Sequence, residues 1–158
     1  MENLFKNISR ETLSKITIVF CILGDVLIFY YIWIDAFPRI FKQVFVEVMK
    51  SPGLDKSMIP VNFYNELFQL SKQALIIMFV GVLIVHGVNY IFFLKKKEFA
   101  RKYIKIQTCL GGLLLFLFGF SSLLKGWLYP LCALTGAIMF LAFIGLNQYN
   151  TKTLAPKA

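Results

Sequence analysis

The sequence has one histidine, three cysteines and eight acidic residues in 158 positions. A single imidazole is half of a bis-histidine site, so no metal, haem or other cofactor is assigned. The cysteines (Cys21, Cys109, Cys132) include no CxxC pair, which argues against a disulfide framework or a thiol redox centre. Only 16% of residues are charged, where a soluble domain carries about a quarter. Phosphate-cradling glycine loops, zinc-protease motifs and a nucleophile with base and orienting acid are missing. The composition therefore points away from a soluble enzyme, a nucleic-acid module or a disordered tail, and no enzymatic activity is expected.

Apolar residues are abundant: 58% of the chain is hydrophobic and mean hydropathy is +0.70. A helix needs about 20 mostly apolar residues to cross about 30 Å of hydrocarbon. Four windows qualify, at about 16–36, 74–94, 104–124 and 127–147. They are continuously apolar rather than alternating, which excludes a β-barrel, and backbone groups in lipid must be satisfied within a helix. The sequence predicts an all-α integral membrane protein. Residues 1–158 form one membrane domain, a bundle of four transmembrane helices with an amphipathic helical extramembrane segment between spans one and two.

Lysine and arginine set the expected orientation. An even number of spans puts both ends, the 95–103 link and Lys105 just inside the next span on one side, with 11 of the 17 basic residues. The opposite side carries the other six, Arg39, Lys42, Lys50, Lys56, Lys72 and Lys125. Basic residues are retained in the cytoplasm, so both termini are expected there. Tyr30, Tyr31, Trp33, Trp127 and Tyr129 mark the outer interface, with Tyr103 and Tyr149 at the inner one. Span one ends in bulky aromatics without a small-x-small site, so it reads as an uncleaved signal-anchor.

Between the first two spans lies the long outer segment, about 37–73. Ile40, Phe41, Val44, Phe45, Val48 and Met49 fall on one helical face, opposite Arg39, Lys42, Gln43, Glu47 and Lys50. Such a helix lies in the membrane interface or caps the bundle. Pro38 suits its first turn or a kink, and Ser51-Pro52-Gly53 ends it. A second amphipathic stretch from about Val61 meets no breaker before Ala74 and is expected to run on into span two. In the inner link, Lys95, Lys96, Lys97, Arg101 and Lys102 are expected to contact anionic lipid. The Lys125-Gly126 turn makes spans three and four a tight hairpin, helped by Gly111, Gly112, Ala133, Gly136 and Ala137.

Ionisable side chains deep in a membrane are costly and mark candidate sites. Asp25 lies ten residues from Lys15, and His86 lies nine residues from Lys95. At 1.5 Å per residue both sit about 13–15 Å from the inner boundary. Antiparallel spans one and two then bring them level, with Asn89 on the face of His86. Gly111-Gly112 and Gly136-Ala137 fall at the same depth, where they either close by packing or leave a wet pocket. Asp35 is expected to pair with Arg39 at i+4.

Two functions fit. One is a homo-oligomeric channel or transporter with Asp25, His86 and Asn89 on a proton or ion path. The other is an accessory or scaffold protein that binds a larger membrane partner, the polar pair being packing glue. The bilayer, including its anionic lipids, is the expected surrounding, and no nucleic acid is implied. A carboxyl at mid-depth in the first of four spans is similar to the small multidrug transporters, but the long outer link departs from that family's pattern.

Overall fold

A computed structural model describes residues 8–52 and 59–152, the last four by backbone alone. Every regular element among these residues is helical, and four helical runs are long and apolar enough to cross a membrane. The first run joins α1 (Arg10–Tyr31), a π-helical turn (Ile32–Ala36) and α2 (Phe37–Met49). Ser9 caps its start, its Oγ accepting the Thr12 N–H at 3.1 Å. The second run is α3 (Phe63–Leu94), unbroken. The third joins α4 (Glu98–Ile106), a π turn (Gln107–Gly111) and α5 (Gly112–Ser121); the fourth is α6 (Leu128–Lys152).

Pro38 explains the first π turn. Its ring clashes with the carbonyl four residues back and it has no N–H to donate, so an α-helix cannot pass it unchanged. The turn widens instead of breaking, and the Phe37 N–H donates to the Ile32 carbonyl. The amphipathic stretch after Pro38 is therefore a continuation of the first helix, where the sequence suggested a separate segment.

The chain divides into two compact units, Met1–Ile28 with His86–Ala158, and Phe29–Val85. The second unit is held by aromatics. Phe29, Trp33, Phe37, Phe41 and Phe45 recur every four residues and so share one face. Phe37 and Phe41 pack on Phe68, Phe41 and Phe45 meet Tyr64, and Phe29 meets Phe79. Lys72 Nζ sits 4.3 Å above the Trp33 ring. The apolar face of α2 thus splits into two rows. Phe41, Phe45 and Met49 are half-buried, while Ile40, Val44 and Val48 stay more than half exposed. Asp35 pairs with Arg39 at 3.3 Å, the i+4 geometry.

The first unit holds a contiguous core that includes Ile18, Cys21, Tyr90, Phe93, Ile104, Leu115, Cys132 and Met139. Buried Thr17 and Thr108 return their hydroxyls to the carbonyls of Leu13 and Ile104, both at 2.7 Å. The α5–α6 hairpin is the closest packing. A Cβ on Gly119 would collide with the Ala133 backbone, and one on Gly136 would stand 2.6 Å from the Gly112 carbonyl oxygen. A Cβ on Gly111 would meet only the Met139 methyl, at 3.7 Å, and Ala137 is half-buried. The turn spends more residues than Lys125-Gly126. A 3₁₀ turn (Leu123–Lys125) precedes Gly126, whose φ of 151° requires glycine.

The inner link is also shorter than the sequence suggested. Lys96 N–H donates to Phe93 and Lys97 N–H to Phe92, the hydrogen bonds of a Schellman motif closing α3. Lys96 takes the left-handed position of that motif, φ 60°, where glycine is usual. Helix α4 then begins at Glu98, so Arg101 and Lys102 lie on a helix and only Lys95, Lys96 and Lys97 form the turn. The stretch read as a link through 103 was mostly this helix. Its dense positive charge masked its helical period.

Candidate functional site

Helical rise alone levels Asp25 with His86; the structure adds the rotation that points them at each other. Asp25 lies on α1 beside Gly24, the position that lets α6 come close. A Cβ on Gly24 would stand 3.0 Å from Met139 Sδ and 3.5 Å from Leu115. His86 lies on α3. Its Nδ1–H donates to Asp25 Oδ2 at 2.8 Å, with the imidazole 19% and the carboxyl 12% exposed.

Two further donors complete the cluster. Tyr90, one turn after His86 and so on its face, donates its hydroxyl to the same Oδ2 at 2.6 Å. Gln107 opens the π turn of the third run. Its Nε2 donates to Tyr90 Oη at 2.8 Å and to Asp25 Oδ1 at 3.4 Å, and lies 3.2 Å from His86 Nδ1. Asp25 thus accepts from three side chains on two other helical runs, through both of its oxygens. Tyr103 sets its ring edge-on to His86 at 5.8 Å, so a residue read as an interfacial marker belongs to the surroundings of the imidazole. Asn89 is half-buried one residue before Tyr90.

One atom is out of balance. Gln107 Oε1 is buried and accepts no hydrogen bond. Turning the amide over would move the orphan to the nitrogen without removing it. Leaving a buried amide atom unmatched costs about 1–3 kcal/mol, and native networks rarely tolerate it without cause.

Sequence reasoning missed Tyr90 and Gln107. Tyr90 had a signal, its i+4 spacing from His86. Gln107 was hidden by the helix start: with the third span begun at 104 it falls at the boundary, but from Glu98 it is nine residues in, as His86 is from Lys95. Of the small residues at this level, Gly112 and Gly136 close by packing. A Cβ on Gly112 would meet Met139 Cβ and the Phe140 nitrogen, each at 3.0 Å, so the wet-pocket alternative does not hold at that contact.

No protein-family model matches the chain, and no curated protein or solved structure is significantly similar to it.

Proposed function

We propose that this chain is a four-span membrane protein with both termini cytoplasmic, acting as a homo-oligomeric channel or transporter with Asp25 and His86 on a proton or ion path. The observation that supports this reading is the Asp25–His86 contact of 2.8 Å, a carboxyl and an imidazole brought together within two helical runs long and apolar enough to cross a membrane. The pair is also incompletely covered, 12% and 19% exposed, so it can be reached from outside the single chain. Helix α3 fits an assembly: 6% of its apolar window is buried, against 28–39% for the other three runs.

A second reading, an accessory protein whose polar cluster fixes helix packing, draws on Met139 and Leu115. They pack against Gly24, the residue before Asp25. Reconstitution in vesicles with an internal pH dye separates the two. The transport reading expects the wild type to collapse an imposed proton or cation gradient, and Asp25→Asn and His86→Ala to lose most of that flux while retaining the fold. A wild-type protein that is monomeric and moves neither protons nor cations would sink it and leave the scaffold.

A further inference from the structure

At the Arg10 end of the first unit, the start of α1, the end of α3, the start of α4 and α6 enclose a cleft of about 510 Å³. Its basic lining is Arg10 and Lys15 from α1, Lys96 from the turn and Arg101 from α4, against one acid, Glu11. Glu11 is held by Lys15 at 2.7 Å. That hydrogen bond and charge keep the Glu11 carboxyl below the usual carboxylate range, and Lys96 adds to the effect across the cleft. On the other side the wall is apolar: Phe93, Leu94 and Leu146. A smaller cavity of about 270 Å³ shares Lys96 and Arg101 and adds Lys105 and the pair Glu98–Lys102, 3.3 Å apart.

We propose that this cleft binds a phosphate-bearing anion, through Arg10, Lys96 and Arg101, with the apolar wall available to its carbon chain. The inference stands apart from the Asp25–His86 reading. Three features support it. Arg10 opens α1 and Arg101 lies in the first turn of α4, where helix N–H groups favour an anion, and the acid at each start, Glu11 and Glu98, is already paired with a lysine, Lys15 and Lys102. Lys96 occupies a left-handed position better suited to glycine, and its side chain lines both cavities. Finally, retention of basic residues in the cytoplasm asks only that they flank spans. It does not ask that bases from three elements converge on one concave site with an apolar wall. Two guanidinium groups suit phosphate, which they bind through paired N–H donors.

The anion has two possible sources, a lipid headgroup or free phosphate. Native mass spectrometry of the full chain, released from phosphatidylcholine nanodiscs containing phosphatidylglycerol, reads the bound lipid directly. The expectation is selective retention of phosphatidylglycerol by the wild type. Arg10→Gln with Arg101→Gln should weaken it about 30-fold, the loss of two basic groups near an anionic headgroup. Lys96→Gln gives a second, milder variant with the same direction, and Glu11→Gln should strengthen retention. Lys42→Gln with Lys125→Gln removes equal charge elsewhere and should leave retention unchanged. Displacement of the lipid by millimolar inorganic phosphate identifies free phosphate as a ligand of the site; lipid that stays bound identifies the headgroup. Equal loss in the cleft and control variants, unchanged melting temperatures given, overturns the proposal, as does equal retention of phosphatidylcholine.

Discussion

Removing one oxygen tests the physical account of the cluster. Tyr90→Phe keeps the ring and deletes the hydroxyl that donates to Asp25 Oδ2 at 2.6 Å and accepts from Gln107 Nε2 at 2.8 Å. Hydrogen bonds to charged groups contribute about 1.5–3 kcal/mol, whereas polar contacts between membrane helices average about 0.6 and reach about 1.7. Because the acceptor is a carboxyl group held by several donors, the loss belongs near the top of the membrane range, about 1.5 kcal/mol. In an Asp25→Asn background the acceptor is neutral and the same change should cost about 0.5–1 kcal/mol. The coupling, about 0.5–1 kcal/mol, is read from a double-mutant cycle of reversible unfolding in bicelles. Equal costs in both backgrounds would refute the claim that Asp25 acts as a charged acceptor for Tyr90.

Three other outcomes follow from the packing. Gly136→Val drives a branched side chain into the backbone of Phe116 and should cost more than the about 1–3 kcal/mol of ordinary overpacking, seen as loss of the thermal transition or a separated α5–α6 hairpin by cysteine crosslinking. Lys96→Gly removes a Cβ from a left-handed residue and should stabilise the chain by about 1 kcal/mol, measured by denaturant midpoint, even as it weakens anion binding. Phe41→Ala strips ring contacts with Phe37, Phe45, Tyr64 and Phe68; hydrogen exchange should accelerate in α2 and the start of α3, while Val44→Ser, on the exposed row, should leave it unchanged. In pH, Glu11 contributes in a fixed direction. Its folded carboxyl is more acidic than in the unfolded chain, so its contribution is present above the unfolded pKa and lost as pH falls through the folded one. The wild-type minus Glu11→Gln difference in melting temperature should therefore shrink on acidification below about pH 4.

The one-dimensional pattern determined the helical runs, because apolar runs this long demand internal hydrogen bonding wherever they are buried. It also levelled Asp25 with His86, since rise per residue is a constant of the α-helix, and paired Asp35 with Arg39, since i+4 neighbours are local. Tertiary structure decided what depends on rotation and on partners distant in sequence. The row of Phe41, Phe45 and Met49 was chosen over that of Ile40, Val44 and Val48 by aromatic rings on α3. Gln107 entered the cluster through the register of α4 and its π turn, and Gly24 and Gly112 were closed over by Met139 from α6, while Gly136 of α6 met the α5 backbone. Hydropathy cannot see these choices, because two rows of equal apolarity differ only in which neighbour reaches them.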